Sequence, residues 1–159
     1  MIAVGDKLPS IKLQTKTADG VGSVDTGEVF AGKKAVLFAV PGAFTPTCSD
    51  DHLPGFLVHS DELKAKGIEL VACTAVNDAH VMGAWSKARS AGDQVLMLAD
   101  GNGELARALG LDFDLTRAGM GTRSRRYAMV LEDGVVRYLG VEQAPGVTVS
   151  GVQAVLAAL

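Results

Sequence analysis

Three short apolar runs rich in β-branched residues occupy the central part of the chain. They are AVLFAV at 35–40, IELVACTAV at 68–76 and VLMLA at 95–99. Runs of this length that are apolar on both faces are typical of buried strands, and segments with helical periodicity separate them. The pattern therefore predicts parallel strands joined by helices on the faces of one sheet.

Helix signals lie in the segments that follow these runs. Residues 49–67 predict one helix that Pro54 kinks or delays and Gly67 ends. Asp78 and Asp100 each come directly before an amphipathic stretch, so we expect both carboxylates to cap helices.

The pattern changes toward the C-terminus. Asp133 and Gly134 lie between two β-rich runs in RYAMVLEDGVVRYLGVE, which predicts a two-residue hairpin. Ser150 is expected to cap a last helix, and residues 11–17 to form a further strand. Together the elements predict an α/β, thioredoxin-like sandwich with a mixed central sheet and flanking helices, forming one domain over residues 1–159.

Composition narrows the function classes. The chain has 159 residues, of which 48% are hydrophobic and 21% charged, as in an ordinary globular domain. The net charge of −3 argues against nucleic acid and anionic membranes as partners. No stretch has the form of a signal peptide or a membrane span, so the expected location is cytoplasmic. Two cysteines, Cys48 and Cys73, are too few for a disulfide framework and are expected to rest as thiols.

Cys48 has an unusual place, because it follows a strand and a Pro-Gly break and precedes a helix. In the first turn of a helix a thiol faces unpaired backbone N–H groups, which favour the thiolate over the thiol. Thr45 lies near enough in such a loop to bind the sulfur or a substrate oxygen, and Pro41 and Pro46 stiffen it. A buried cysteine with a structural role remains the alternative at this point.

The stretch PGAFTPTC at 41–48 resembles the Pro-x-x-x-Thr-x-x-Cys signature of peroxiredoxins. The continuation SDDHLPGF is similar to the type II, or atypical two-cysteine, subgroup of plants and the fifth mammalian class. Three further stretches, at 71–85, 98–111 and 121–136, also resemble that family. The resemblance implies a thiol-dependent peroxidase that reduces hydrogen peroxide and alkyl hydroperoxides and needs no cofactor beyond an external thiol reductant.

The same resemblance assigns roles to residues. It implies that Cys48 is the peroxidatic cysteine, which becomes a sulfenic acid, that Thr45 orients the peroxide and that Pro41 shields the pocket. It also implies an arginine directly before the aromatic residue of the next strand, which selects Arg126. If Arg125 and Arg126 both lie in a strand, they point to opposite faces and cannot share that role.

The remaining arginines and the histidines have ordinary interpretations. We expect Arg123 and Arg125 to be solvated charges. His52 lies one helical turn after Cys48, where it can tune the thiolate, although a half-exposed surface position is the expectation. None of the histidines and cysteines has zinc-site spacing, so no metal site is predicted.

Cys73 lies 25 residues after Cys48 and is the only other thiol. By resemblance to plant type II enzymes it is the candidate resolving residue, although its place in an apolar strand is common for core cysteines. In the competing scheme, glutathione or glutaredoxin attacks the Cys48 sulfenic acid directly. Thioredoxin is the other expected reductant of the enzyme.

Two further expectations concern partners. The resemblance implies a homodimer formed around the active-site end, with Gly42 and Phe44 beside the cysteine at the contact. A peroxide sensor or redox-regulated holdase that uses the same Cys48 is the alternative function, while the missing Cys-x-x-Cys disfavours a disulfide reductase.

Overall fold

The computed structural model describes residues 1–159 and contains nine β-strands. The strands are β1 (Lys12–Thr17), β2 (Gly20–Asp25), β3 (Lys34–Ala39), β4 (Leu70–Ala75), β5 (Leu96–Ala99), β6 (Asp112–Asp114), β7 (Thr122–Ser124), β8 (Tyr127–Glu132) and β9 (Val135–Val141). Seven of them form one sheet in the order β2-β1-β5-β4-β3-β8-β9, and β6 and β7 form a separate hairpin.

Six α-helices and two other helical turns connect the strands. The α-helices are α1 (Thr26–Val29), α2 (Leu53–Val58), α3 (Ser60–Ala65), α4 (Ala79–Ala88), α5 (Glu104–Leu109) and α6 (Val152–Ala157). A π-helical turn spans Cys48–His52 and a 3₁₀ turn spans Thr116–Ala118. Each of these helices lacks the length or the apolar composition required to cross a lipid bilayer.

The sheet is mixed, which defines a thioredoxin-like fold with flanking helices. β3, β4 and β5 pair in parallel, whereas β8 and β9 continue the sheet antiparallel on one side and β1 and β2 on the other. All three strands predicted from the apolar runs are present. Both faces of the sheet are buried, because alternate residues of β3 such as Leu37 and Phe38 enter two different hydrophobic clusters. Cys48 and Cys73 belong to the same cluster.

Local signals explain several element ends. Asp133 and Gly134 form the predicted two-residue turn, with φ of 50° and 75°, the conformation in which such turns match the twist of paired strands. The Asp78 carboxylate accepts from the Val81 N–H over 2.9 Å at the start of α4. The N-cap of α5 is Gly103, but the Asp100 carboxylate accepts backbone hydrogen bonds from residues 105 and 106 in its first turn.

Two local predictions were wrong. Residues 49–67 do not form one kinked helix, because the π turn at 48–52, α2 and α3 follow one another as separate segments. Ser150 does not cap α6: the N-cap is Gly151, and the Ser150 hydroxyl donates instead to Glu142 over 2.6 Å. Donation to the Glu142 carboxylate is a charge-assisted hydrogen bond, and it directs the hydroxyl toward Glu142, so that its oxygen accepts no N–H of α6.

Candidate active site

Cys48 lies in the first turn of a helical segment that starts at Pro46, after the loop that follows the carboxyl end of β3 at Ala39. The Ser49 N–H donates to the Thr45 carbonyl over 2.9 Å, and the Leu53 N–H closes the π turn on the Cys48 carbonyl. The Cys48 side chain is completely buried. Trp85 on α4 donates to the Ser49 hydroxyl over 2.9 Å and holds this turn against the core. Isolated π turns are rare in proteins, and those that do occur are often found at functional sites.

Arg126 is the cation that contacts the sulfur. Its Nη2 donates to Cys48 Sγ over 3.0 Å, although the two residues are 78 positions apart in the chain. A permanently charged guanidinium at this distance attracts a thiolate more strongly than a neutral thiol. The site therefore presents a sulfur and a fixed hydrogen-bond donor side by side.

His52 holds the other end of the guanidinium. Arg126 Nη1 lies 2.9 Å from His52 Nδ1, and His52 Nε2 lies 2.7 Å from the Ser150 carbonyl oxygen. A carbonyl only accepts, so Nε2 carries the proton and Nδ1 accepts from the arginine. Burial, aided by the charge of Arg126, lowers the pKa of His52 from its ordinary 6.5 to about 3. The ring is consequently a neutral acceptor at physiological pH.

Glu142 fixes the segment that carries Ser150. The Glu142 carboxylate accepts from the backbone N–H and the hydroxyl of both Thr148 and Ser150, over 2.6–2.8 Å. These hydrogen bonds outweigh burial, and the pKa of Glu142 falls below its ordinary value. The chain of contacts thus runs from Glu142 through Ser150, His52 and Arg126 to the sulfur of Cys48.

The prediction that His52 is half-exposed was wrong, since it is 1% exposed and packs 4.9 Å from the ring of Phe38. The only feature of the sequence that connected His52 with the site was its spacing of four residues from Cys48. The partner that buries it, Ser150, is 98 positions away, and no local pattern reveals that contact.

Arg125 and Arg126 do not lie in a strand as expected, although Arg126 does contact the sulfur. Both arginines lie in the two-residue junction between β7 and β8, outside either strand, and both line one cavity. Strand alternation does not apply to them. Arg123 is not simply solvated, because it donates to the carbonyls of Met120 over 2.9 Å and Pro41 over 3.3 Å.

The other predicted residues lie in the loop before Cys48 and form no hydrogen bond to its sulfur. The Thr45 hydroxyl donates to the Gly42 carbonyl over 2.8 Å, which keeps the loop tight and leaves the oxygen lone pairs free. Pro41 lines the cavity. Gly42 is buried, and a Cβ there would meet Arg123 Nη1 at 3.0 Å. Phe44 is 52% exposed and has a φ of 64°.

Cys73 lies in the middle of β4, opposite Phe38 of β3, and is completely buried. Burial, reinforced by the nearby Cys48, raises the pKa of the Cys73 thiol well above its ordinary 9.0. Both cysteines are free thiols. Cys73 is near enough to Cys48 for electrostatic coupling, but it is held as a protonated thiol inside the sheet.

A cavity of about 420 Å³ adjoins the site. Arg126 and Pro41 reach it from the Cys48 side, and Phe113, Leu115 and Pro145 supply apolar walls. No group of three or more histidine, cysteine or acidic side chains is arranged to bind a metal ion.

A thioredoxin-like fold with a cysteine in the first helical turn beyond a parallel strand, held by an arginine, defines a thiol-based redox protein. The Redoxin family model matches residues 3–156. Peroxiredoxin-2E-2, chloroplastic, from Oryza sativa subsp. japonica is 53% identical, covering 99% of this chain and 72% of that protein. Peroxiredoxin-2C from the same organism is 44% identical, covering 99% and 98% respectively.

The crystal structure of reduced Prx3 from Vibrio vulnificus in complex with hydrogen peroxide is also similar. It has a TM-score of 0.95 and 51% identity, and the match covers 99% of each chain. The chain belongs to the peroxiredoxin family and is a thiol-dependent peroxidase, as its type II-like sequence motifs predicted. Such proteins use thiol reductants and need no prosthetic group.

Proposed function

We propose that Cys48 is the peroxidatic residue, which attacks hydrogen peroxide or an alkyl hydroperoxide. The thiolate displaces the leaving oxygen in line: the S–O bond forms as the O–O bond breaks, giving a sulfenic acid and an alkoxide or hydroxide that takes a proton from solvent. The contact between Arg126 Nη2 and Cys48 Sγ at 3.0 Å is the observation that carries this proposal.

Arg126 also supports the displacement itself. Negative charge moves from sulfur onto the leaving oxygen, and a donor already fixed beside the sulfur stabilises that charge without reorganising. His52 leaves the guanidinium little freedom, because it occupies Nη1. Thr45 orients the peroxide, since its hydroxyl oxygen can accept from the substrate while it donates to Gly42.

We propose an external thiol, from glutathione, glutaredoxin or thioredoxin, as the group that resolves the sulfenic acid. The thiol sulfur bonds to Cys48 and water leaves; a second thiol then reduces the mixed disulfide and frees Cys48. The support is the protonated state of Cys73, since the thiolate is the attacking species. We propose that resolution by Cys73 would need the turn at 48–52 to unwind, since Cys73 is fixed in β4 and disulfides need Cα atoms within about 7 Å in a suitable orientation.

The homodimer belongs to the same proposal. Phe44 supports it, because a half-exposed aromatic side chain with a left-handed backbone is costly unless something holds it. Gly42 is covered within its own chain, so it contributes by shaping the loop beneath that contact. A reducing compartment such as the cytoplasm suits recycling by a thiol pool.

Peroxide consumption coupled to each reductant tests this function. Catalytic amounts of protein should remove hydrogen peroxide with dithiothreitol, and glutathione with glutaredoxin or thioredoxin with its reductase should replace that reagent. Cys48→Ser should abolish turnover with every reductant, while Cys73→Ser should retain it. Turnover by Cys48→Ser, or its loss in Cys73→Ser, would overturn the respective part of the proposal.

A further inference from the structure

The cavity beside Cys48 is much larger than hydrogen peroxide requires. Its volume is about 420 Å³, whereas one water molecule occupies about 30 Å³ of liquid. Pockets of about 300–1,000 Å³ ordinarily hold small organic ligands. Thr47, the neighbour of Cys48, and Arg126, which touches the sulfur, both line this cavity, so it lies next to the reacting residue. It has room for the organic part of a hydroperoxide.

The cavity wall combines apolar surface with a cation. Phe113, Leu115 and Pro145 provide the apolar part. Arg125 lies over the Phe113 ring, with its guanidinium carbon 4.5 Å from the ring centre, so aromatic stacking fixes its direction. An apolar wall that ends at an oriented guanidinium is complementary to a molecule with a hydrocarbon body and a carboxylate.

No carboxylate of the chain neutralises Arg125. The ion pairs of the structure are elsewhere: His59–Glu62, Arg89–Asp50 and Arg137–Glu132. Glu142 is the one acidic residue of the cavity wall, and both of its oxygens already accept hydrogen bonds from Thr148 and Ser150. The donors of Arg125 are therefore available to a ligand.

We propose, on the basis of the peroxidase function above, that Arg125 binds the carboxylate of anionic organic hydroperoxides and makes them preferred substrates. The organic part lies along Phe113 and Leu115, and the peroxide group reaches Cys48 beside Arg126. Cys48 takes one oxygen to become the sulfenic acid, and the product is the corresponding hydroxy acid. Arg125 binds a part of the substrate that takes no part in the bond changes.

Two hydroperoxides that differ only at the carboxylate measure its effect on the reaction. Cumene hydroperoxide with a para carboxylate is compared with its methyl ester, which has the same peroxide group and nearly the same shape. The measured quantity is the acid-to-ester ratio, which is kcat/KM for the acid divided by kcat/KM for the ester. Both values come from the same variant, so a general loss of activity does not change the ratio. We expect a ratio of about ten in the wild-type protein, the size of one hydrogen bond to a charged group.

Three substitutions complete the test. Arg125→Gln should bring the ratio close to one, and Arg125→Lys should restore part of it because the charge remains. Arg137→Gln is the matched control, since it removes one positive charge outside the cavity and should keep the wild-type ratio. A ratio near one in the wild-type protein, or an equal fall in Arg137→Gln, would overturn the proposal.

Two further measurements distinguish this proposal from a role of Arg125 in reductant binding and from a failure of the peroxidase function. Glutathione also carries carboxylates, so its KM is measured in the same variants. If Arg125→Gln changes that KM and leaves the acid-to-ester ratio intact, Arg125 binds the reductant and the substrate assignment fails. If the wild-type protein reduces neither probe nor hydrogen peroxide, the peroxidase function itself fails.

Discussion

Arg126 donates to His52 Nδ1 over 2.9 Å through one nitrogen of its guanidinium and to Cys48 Sγ over 3.0 Å through the other. The histidine accepts because its own proton lies on Nε2, directed at the Ser150 carbonyl. The orientation of the Arg126 guanidinium is thus set by a neutral imidazole, and we propose His52 as a positioning residue for the peroxidase reaction.

Two substitutions of His52 separate its two hydrogen bonds. In His52→Asn the side-chain oxygen takes the place of Nδ1 and can still accept from Arg126. In His52→Gln the amide nitrogen takes the place of Nε2, so the variant keeps only the hydrogen bond to the Ser150 carbonyl. We expect His52→Gln to lower kcat/KM for hydrogen peroxide about tenfold more than His52→Asn does, the size of a hydrogen bond to a charged group. Equal losses, with both variants folded by circular dichroism, would refute the positioning role.

Arg126 itself should tolerate no replacement. A lysine keeps the charge but lacks the planar fork needed to reach His52 and Cys48 together. We expect Arg126→Lys and Arg126→Gln each to lower the second-order rate constant for hydrogen peroxide about 100-fold or more, the typical effect of losing one preorganised donor. Stopped-flow tryptophan fluorescence can follow the reaction, because Trp85 donates to Ser49 next to the cysteine. Arg137→Lys, at an exposed position, should react like the wild type.

The buried His52 makes stability depend on pH. Its pKa is about 3 in the folded protein, below its ordinary 6.5. Between these values the unfolded chain binds a proton that the folded one does not, so stability falls as the pH decreases from 6.5 toward 3. The slope from this group is about 1.4 kcal/mol per pH unit.

Urea unfolding at pH 7 and pH 5 measures this effect, with His52→Asn as the matched variant. The wild-type protein should lose about 2 kcal/mol more than the variant over this interval. Identical losses in the two proteins would show that His52 is protonated, or exposed, in the folded state.

Phe44 provides a test of the dimer. Phe44→Asp places a charge where we propose an apolar contact between subunits, so the dimer should dissociate at micromolar concentration. Analytical ultracentrifugation measures the mass. Val58→Asp is the control, since Val58 is also exposed but lies on α2. A wild-type monomer, or dissociation by both substitutions, would argue against a contact at Phe44.

Much of the fold could be predicted from the sequence, because the signals that determine it are local. The apolar runs of β3, β4 and β5 are buried on both faces, and Asp133-Gly134 has few conformations other than a tight turn. The segment after Cys48 could not be predicted in the same way. Pro54 indicated an irregular helix there, but the π turn depends on packing such as that of Trp85 on Ser49.

The site was predictable only in part, for the same physical reason. Cys48, Thr45 and Pro41 share one short loop, so their proximity follows from their spacing. His52 and Ser150 come together across 98 positions, and neither carries a local sign of the other. Arg125 and Arg126 were separated by a rule for strands that does not hold in the junction where they lie.

The role of Cys48 is tested most directly by the mass of the reduced protein after one equivalent of hydrogen peroxide, without added thiol. The wild-type protein and Cys73→Ser should each gain one oxygen within seconds, and Cys48→Ser should gain none. Loss of two hydrogens from the wild-type protein alone would instead assign resolution to Cys73. Oxidation of Cys48→Ser at the wild-type rate would contradict the central claim that Cys48, held by Arg126, is the residue that reduces the peroxide.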